Sequence, residues 1–386
     1  MKIKKITPFL LNPGIPKTKN WLFVKVDTDE GIHGWGECYT QPDREGAIKV
    51  FIEELERYLV GRSPFNIKHF TYAAYNDFAA KRGSMDYYSA ISGIEHALWD
   101  IIGKTLNQPV YNLLGGACRE RIRVYANGWG NWYSDGDVVE NAKCLVKEGF
   151  TALKFDPFTG PWREYIGRED IEKATEKVKG IRQAVGPDVD LLIEVHRRLA
   201  PVYAIEFADK IKEFNPYWFE EPVSSRSPSA LMKASQRINL PVVTGEELYT
   251  KNEFCSIFEK QVVDIINPDV ANCGGILELK EIAAMAEPYC IGVSPHNYNS
   301  TTIALAATLQ ASAVMPNFII TEYFINFSQV GKQISKNSLE VKNGFIELPK
   351  APGLGLELDE SKFSAYTDNT LPKRRVLKYY EERGGV

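Results

Sequence analysis

From Ile122 onward, short apolar runs alternate with longer amphipathic stretches. The strand-like runs are Ile122–Ala126, Ala152–Phe155, Leu191–Val195, Tyr217–Glu220, Val242–Thr244, Asp264–Ile266, Ile291–Ser294 and Phe318–Thr321. Between them apolar residues recur at helical spacing, as in Ile171, Ala174, Val178 and Ile181. Gly149, Pro216 and Pro241 stand just before strands, where short turns return the chain from a helix. Eight such units between residues 119 and 333 predict a closed TIM-type (β/α) barrel. No GxGxxG follows the first strand, which argues against an open dinucleotide-binding sheet.

The first third has a different rhythm. Trp21–Asp27 alternates as a strand, residues 28–31 form a turn, and Ile32–Glu37 returns as the second arm of a hairpin. Helical patterns follow over Ala47–Leu59, Phe70–Asp77 and Ser89–Thr105. Strands followed by helices, without alternation, predict a separate α+β domain over residues 1–118, closed by Leu114-Gly115-Gly116. The tail, residues 334–386, carries short strands at Leu339–Val341 and Phe345–Leu348 and the turn-rich Pro352-Gly353-Leu354-Gly355. It is expected to fold back and complete the N-terminal cap.

Composition narrows the classes of function. With 44% apolar and 25% charged residues over 386 positions, this is a globular chain long enough for two structural units. A net charge of −4 gives no basic surface for nucleic acid or anionic lipid, and the basic runs Lys2–Lys5 and Lys373–Arg375 are solvated ends. The six cysteines show no CxxC or zinc-like spacing, so six free, mostly buried thiols of a cytoplasmic protein are expected. Pro8 and Pro13 leave no signal-peptide core, and the apolar stretch Thr302–Pro316 is too short and polar to span a membrane.

The chemistry lies at the strand ends. Glu194, Glu220, Glu246, Asp269, His296 and Glu322 follow one another at steps of 26, 26, 23, 27 and 26 residues. One polar residue at the carboxyl end of each successive strand faces the mouth of a barrel. A single acidic residue there can simply cap the next helix. Three converging carboxylates, Glu194, Glu220 and Glu246, repel one another unless a cation lies between them, and an all-oxygen set selects Mg²⁺ over zinc. Within the doublets, Glu220 and Glu246 are expected to face the ion, while Glu221, before Pro222, turns outward. His296 with Asp269 has the make-up of an oriented general base. His196, two residues after Glu194, projects toward the same place. Lys154 ends the second strand with Asp156 two residues on, and Glu322 could donate to a substrate oxygen if held protonated. His33, His69 and His96 lie in the first domain and read as structural.

These residues resemble the enolase superfamily in its mandelate racemase-like branch. The resemblance rests on Gly34-Trp35-Gly36-Glu37, Ala97-Leu98-Trp99-Asp100, Gly115-Gly116, Phe219-Glu220-Glu221-Pro222, Gly245-Glu246 and Gly274-Gly275, and spans nearly the whole chain. Glu194-Val195-His196 resembles the sugar acid dehydratases, and Ala152–Phe158 with Val124–Trp129 is similar to gluconate dehydratases. The racemase subgroup has Lys-x-Lys on the second strand, whereas Lys154-Phe155-Asp156 keeps only the first lysine. The first metal ligand is Glu194 where Asp is common, and Arg197 stands where Gly is frequent. The resemblance implies Mg²⁺-dependent loss of water from a gluconate- or galactonate-like aldonic acid through an enediolate, giving a 2-keto-3-deoxy acid. His296 would take the C2 proton, His196 would protonate the leaving hydroxyl, and Lys154, Asp269 and Glu322 would assist. It also implies a homo-oligomer, and specificity set by the loops around Pro13–Asn20, Tyr39–Arg44 and Trp129–Tyr133. A racemase or epimerase of a 2-hydroxy acid is the alternative on the same scaffold, and a non-catalytic sugar-acid binder is the third reading.

Overall fold

A computed structural model describes residues 1–15, 18–76, 83–130, 137–158 and 165–367. Pro16, Lys17, Asp77, the loop residues 131–133 and the basic run 373–375 lie outside the described residues. Three antiparallel strands open the chain, β1 (Ile3–Leu11), β2 (Trp21–Thr28) and β3 (His33–Cys38), in that spatial order. The hydrophobic pattern did not predict β1. It carries Pro8 and mixed polarity, which an edge strand tolerates because one side of it needs no partner.

The longest helix, Met85–Thr105, lies across β3 and begins four residues before the predicted Ser89. Sixteen of its 21 residues are buried, because it is covered by the small sheet on one side and by the barrel on the other. Gly36 permits this contact: a Cβ there would sit 1.7 Å from the Gly93 carbonyl oxygen.

The remaining strands β4 (Arg121–Asn127), β5 (Ala152–Phe155), β6 (Asp190–Glu194), β7 (Trp218–Glu220), β8 (Val242–Thr244), β9 (Ile265–Ile266), β10 (Gly292–Val293) and β11 (Thr321–Phe324) are parallel and pair in sequence order. β11 pairs with β4, and a bridge from Val293 to Phe318 closes the ring. The run Phe318–Thr321 was predicted as the eighth strand; its start makes only this bridge, and the strand proper begins at Thr321. Both faces of a parallel barrel strand are covered, which is why the sequence shows continuous apolar runs rather than strict alternation.

The tail touches both bodies. Its hairpin, β12 (Val341–Lys342) and β13 (Phe345–Glu347), pairs antiparallel with the first residues of β4 and so extends the barrel sheet. Only beyond it does the chain reach the cap. Leu354 N–H donates to Asp100 Oδ1 at 2.9 Å, Lys104 Nζ donates to Glu357 Oε2 at 2.7 Å, and Phe363 packs on Phe9 and Trp35. All six cysteines are free, but only Cys38 and Cys273 are buried, fewer than expected. Among the described residues no helix is long and apolar enough to cross a membrane.

Candidate active site

The interior of the barrel is built in layers by the two-residue period of its strands. Tyr125, Ala152, Leu192, Trp218, Val243 and Ile265, one from each of β4 to β9, form an apolar floor with Ile320. Two residues further along the same strands come Asn127, Lys154, Glu194, Glu220 and Asn267, with Glu322 two beyond Ile320. Two residues beyond those stand Asp156, His196 and Asp269. The same pleat that seals the core therefore delivers a polar layer to the mouth.

Glu194, Glu220 and Glu246 each offer one carboxylate oxygen, and these oxygens lie within 4.8 Å of one another in a buried group. Glu220 is fully engaged: its Oε1 accepts from Lys154 Nζ at 2.9 Å and Asn267 Nδ2 at 2.8 Å, and its Oε2 from Trp218 Nε1 at 2.9 Å. Glu194 Oε1 and Glu246 Oε2 are buried and make no hydrogen bond of good geometry among the described residues; each is faced by an imidazole, His196 Nε2 at 3.4 Å and His296 Nε2 at 3.2 Å. Burial with neighbouring carboxylates pushes Glu220 up to about 8 despite the pull of Lys154. Unsatisfied buried anionic oxygens of this kind call for a hard cation, and the residues present fit one.

Lys154 is fully buried beneath the group, with Nζ 3.2 Å from Glu194, 2.9 Å from Glu220 and 3.1 Å from Glu322. Burial disfavours its charge, but the three carboxylates outweigh that and hold it protonated. Its place is a fixed counter-charge at the base of the site. Glu322 takes up the same field. Burial raises its proton affinity, yet Lys154 and His296, with hydrogen bonds from Asn127 Nδ2 and the Asn297 N–H, lower it further. Glu322 is thus a carboxylate, and the protonated donor considered from sequence is not what this environment favours.

Two histidine–aspartate pairs stand at the mouth. His296 Nδ1 lies 2.8 Å from Asp269 Oδ2, and Asp269 is fixed by the backbone N–H groups of Ala271 and Tyr298. His296 Nε2 points the other way, 3.2 Å from Glu246 Oε2 and 3.4 Å from Glu322 Oε2. Desolvation works against a charged His296, but Glu322, Glu246 and Asp269 prevail and raise it to about 10. His196 Nδ1 lies 2.8 Å from Asp156 Oδ2, with Nε2 3.4 Å from Glu194 Oε1. Its proton affinity is also raised, burial being outweighed by Glu194 and Asp156. His196 and Arg197 both adopt left-handed backbone (φ +47° and +51°), so a turn rather than the strand pleat aims the imidazole.

Asp156 was noted in the sequence only for its direction. Its role as partner of His196 was missed, although its spacing from Lys154 matches that of His196 from Glu194. Arg198 also donates to it. Arg197 was noted in the sequence only as standing where Gly is frequent. It ties Glu246, Glu221 and Glu247 together, with Nη1 2.6 Å from Glu246 Oε1 and Nε 2.8 Å from Glu247 Oε1. Glu221 does not turn outward to solvent: it is fully buried and accepts from Thr244 Oγ1 and the Gly245 N–H. The three cap histidines have no place in this cluster. His33 pairs with Glu357, and His96 meets the Val270 carbonyl at 3.1 Å.

The cap is fastened over the mouth by two buried glutamates. Glu37 Oε2 accepts from Ser300 Oγ, Thr302 Oγ1 and the Ala304 N–H at 2.8–2.9 Å, at the start of the helix Ile303–Ser312. Glu95 accepts from the N–H groups of Ile276 and Leu277, opening the helix Ile276–Ala286. Both complete barrel helices from another domain, satisfying orphan N–H groups where the dipole favours an anion.

A closed barrel under an α+β cap, with clustered carboxylates at the strand ends, defines a class of enzyme. Residues 2–115 match the mandelate racemase / muconate lactonizing enzyme N-terminal domain, and residues 137–362 match the enolase C-terminal domain-like family. The chain belongs to the enolase superfamily, in the mandelate racemase / muconate lactonizing enzyme family, whose membership implies a divalent metal. It is 36% identical over 366 residues to the D-gluconate/D-galactonate dehydratase of Picrophilus torridus, covering 93% of this chain and 92% of that one. Among solved structures, it resembles a mandelate racemase/muconate lactonizing enzyme-like protein from Roseovarius sp. TM1035, at 32% identity and TM-score 0.90, covering 98% and 99% of the two chains. The mandelate racemase/muconate lactonizing enzyme of Jannaschia sp. CCS1 is similar at 30% identity and TM-score 0.88, over 95% and 97%.

Proposed function

We propose that this enzyme removes water from an aldonic acid of the gluconate or galactonate type, giving a 2-keto-3-deoxy acid, with Mg²⁺ as its metal. The observation that carries this reading is the pair of histidine–aspartate dyads, one on each side of the Glu194–Glu220–Glu246 group. The Picrophilus relative, a D-gluconate/D-galactonate dehydratase, supports the substrate class.

Elimination needs a base at C2 and an acid at the 3-hydroxyl. His296 is charged while Glu246 and Glu322 face its Nε2, and it must first give up that proton, which a cation held by Glu246 would favour by offsetting the carboxylate charge. With Nδ1–H donated to Asp269 it then presents the Nε2 lone pair and takes the C2 proton. The C–H electrons first delocalise into the substrate carboxylate as an enediolate, and then return to form the C2–C3 double bond as the C3–O bond breaks. His196, held through Nδ1 by Asp156, gives its Nε2 proton to the departing oxygen, which leaves as water. The resulting enol takes up a proton at C3 to become the keto acid. Bound by Glu194, Glu220 and Glu246, Mg²⁺ would supply positive charge to offset the negative charge that grows on the substrate as the C2 proton leaves. Lys154 holds Glu194 and Glu220 in place and is already committed to them and to Glu322.

β6 and β10 lie four strands apart in the eight-strand ring. That arrangement also suits a racemase, with each histidine exchanging the C2 proton on one face, and product analysis separates the two: a keto-deoxy acid against an isomer. The roles are tested in D₂O. His196→Asn is expected to lose dehydration yet still exchange the C2 proton for deuterium, while His296→Asn loses both. Exchange that survives in His296→Asn but not in His196→Asn reverses the assignment. Survival in both removes histidine as the base.

A further inference from the structure

The two histidine–aspartate dyads share one plan. In each, the aspartate Oδ1 accepts the N–H of the residue two positions on, Phe158 for Asp156 and Ala271 for Asp269, both at 2.8 Å. In each, Oδ2 meets the histidine Nδ1, again at 2.8 Å. They part at the third contact. Asp269 Oδ2 also accepts the main-chain N–H of Tyr298, whereas Asp156 Oδ2 also accepts from the Arg198 guanidinium. Besides its histidine, then, Asp269 is held by backbone, while Asp156 is held in part by a side chain.

That side chain has a built seat. Arg198 is 5% exposed, and its guanidinium lies over the Phe158 ring, 5.7 Å from the centroid. Phe158 is itself buried against Phe207, with ring centroids 5.0 Å apart. The residue that gives its N–H to Asp156 Oδ1 therefore also gives Arg198 a surface to rest on. A bridge to Val223 fixes the Arg198 backbone. Burying a guanidinium is costly unless a carboxylate receives it, and Asp156 does.

The acid half needs this hold. Asp156 lies one residue beyond the end of β5, outside the strand ladder. His196 has left-handed backbone (φ +47°), so no strand aims it either. A carboxylate on a loop and an imidazole on a turn keep one geometry only if one of them is fixed, and small errors of aim slow a proton transfer steeply. Lys177, in the helix Arg168–Val185, steadies the loop backbone by donating to the Pro157 carbonyl at 2.7 Å. Arg198 takes the carboxylate itself.

We propose that Arg198 is a positioning residue for the acid half of the reaction: it fixes Asp156, Asp156 aims His196, and the His296 half works without it. This rests on the dehydration reading above, in which His196 gives its proton to the departing hydroxyl, and names the side chain on which that delivery depends.

The test is Arg198→Met at saturating Mg²⁺, on the aldonic acid that the wild type dehydrates best. Two rates are read in D₂O: formation of keto-deoxy acid, and total loss of C2–H from substrate and product together by proton NMR. Loss of a charge-assisted hydrogen bond should slow dehydration 10- to 100-fold, with C2–H loss within about 3-fold of wild type. An arginine that merely holds the fold would lower both rates together. A cycle with Asp156→Asn gives the second readout. If Arg198 acts through Asp156, Arg198→Met/Asp156→Asn dehydrates within about 3-fold of Asp156→Asn alone.

Parallel falls in both rates overturn the proposal, as does dehydration within about 3-fold of wild type in folded Arg198→Met. A double variant whose loss is the product of the two single losses also overturns it, since Arg198 would then act apart from Asp156. If Arg198→Met fails to fold because Asp156 has lost its counter-charge, the double variant removes that charge as well. A folded double variant that matches Asp156→Asn in both rates supports the proposal, and failure of both to fold makes the pair a structural one and ends it. Wild-type protein that dehydrates no aldonic acid sinks the functional reading itself. An active wild type with an indifferent Arg198→Met sinks only this one.

Discussion

Replacing Asp269 by Asn tests whether orientation of His296 is what the site is built for. Asp269 accepts three hydrogen bonds: Oδ2 takes His296 Nδ1–H at 2.8 Å and the Tyr298 N–H at 3.3 Å, and Oδ1 takes the Ala271 N–H at 2.8 Å. An amide keeps only one accepting oxygen. If that oxygen faces His296, its NH₂ meets the short Ala271 N–H head-on, leaving a buried donor unpaired at about 1–3 kcal/mol. If the NH₂ faces His296 instead, only the long Tyr298 bond is lost, and the imidazole accepts at Nδ1 and carries its proton on Nε2. The second arrangement costs less, so the variant should hold a histidine that cannot take the C2 proton. The carboxylate that stabilises the imidazolium is gone as well. Together these predict a loss of roughly 10²- to 10⁴-fold in C2 exchange and in kcat, with little change in KM. The assay is proton NMR of C2–H loss in D₂O beside steady-state kinetics. Exchange within about 3-fold of wild type would show that His296 needs no orienting partner and refute the assignment.

Three further outcomes are expected. Glu246→Gln removes a charge from the glutamate group at constant size and should abolish turnover and weaken Mg²⁺ binding in calorimetry; full wild-type activity after exhaustive chelation would remove the metal from the picture. Phe363→Ala should cost about 3–5 kcal/mol in urea unfolding, since the ring is 4% exposed and packs on Phe9 and Trp35; a loss under about 1 kcal/mol, or a soluble and active chain truncated at Ser335, would make the tail an appendage. Burial holds His96 down to about 4, against an ordinary value of 6.5, so the fold keeps it neutral. Its stabilising share is complete above pH 6.5 and is lost as pH falls to about 4, at most about 3 kcal/mol. Chemical denaturation across that window should be flatter in His96→Gln, and equal slopes would contradict the assignment.

The steady spacing of Glu194, Glu220, Glu246, Asp269, His296 and Glu322 was legible because each βα unit repeats one length and one logic. The strand stays apolar while both its faces are covered and turns polar where it leaves the sheet. The same period placed Lys154 at the mouth and brought the chain to the turn that aims His196. β1 escaped, because an edge strand with Pro8 obeys neither alternation nor continuity.

What depends on neighbouring strands could not be read from any one of them. Asp156 and His196 belong to consecutive βα units, and only the stagger of the strands brings them to 2.8 Å. Glu221 is buried rather than turned out because Arg197 and Thr244 receive it, and Glu322 keeps its charge because Lys154 lies beneath it. Periodicity is a property of the backbone, so the chain alone determined the fold and which residues reach the mouth. Partners and charge states arise from distances between segments far apart in sequence, and the tertiary structure decided those.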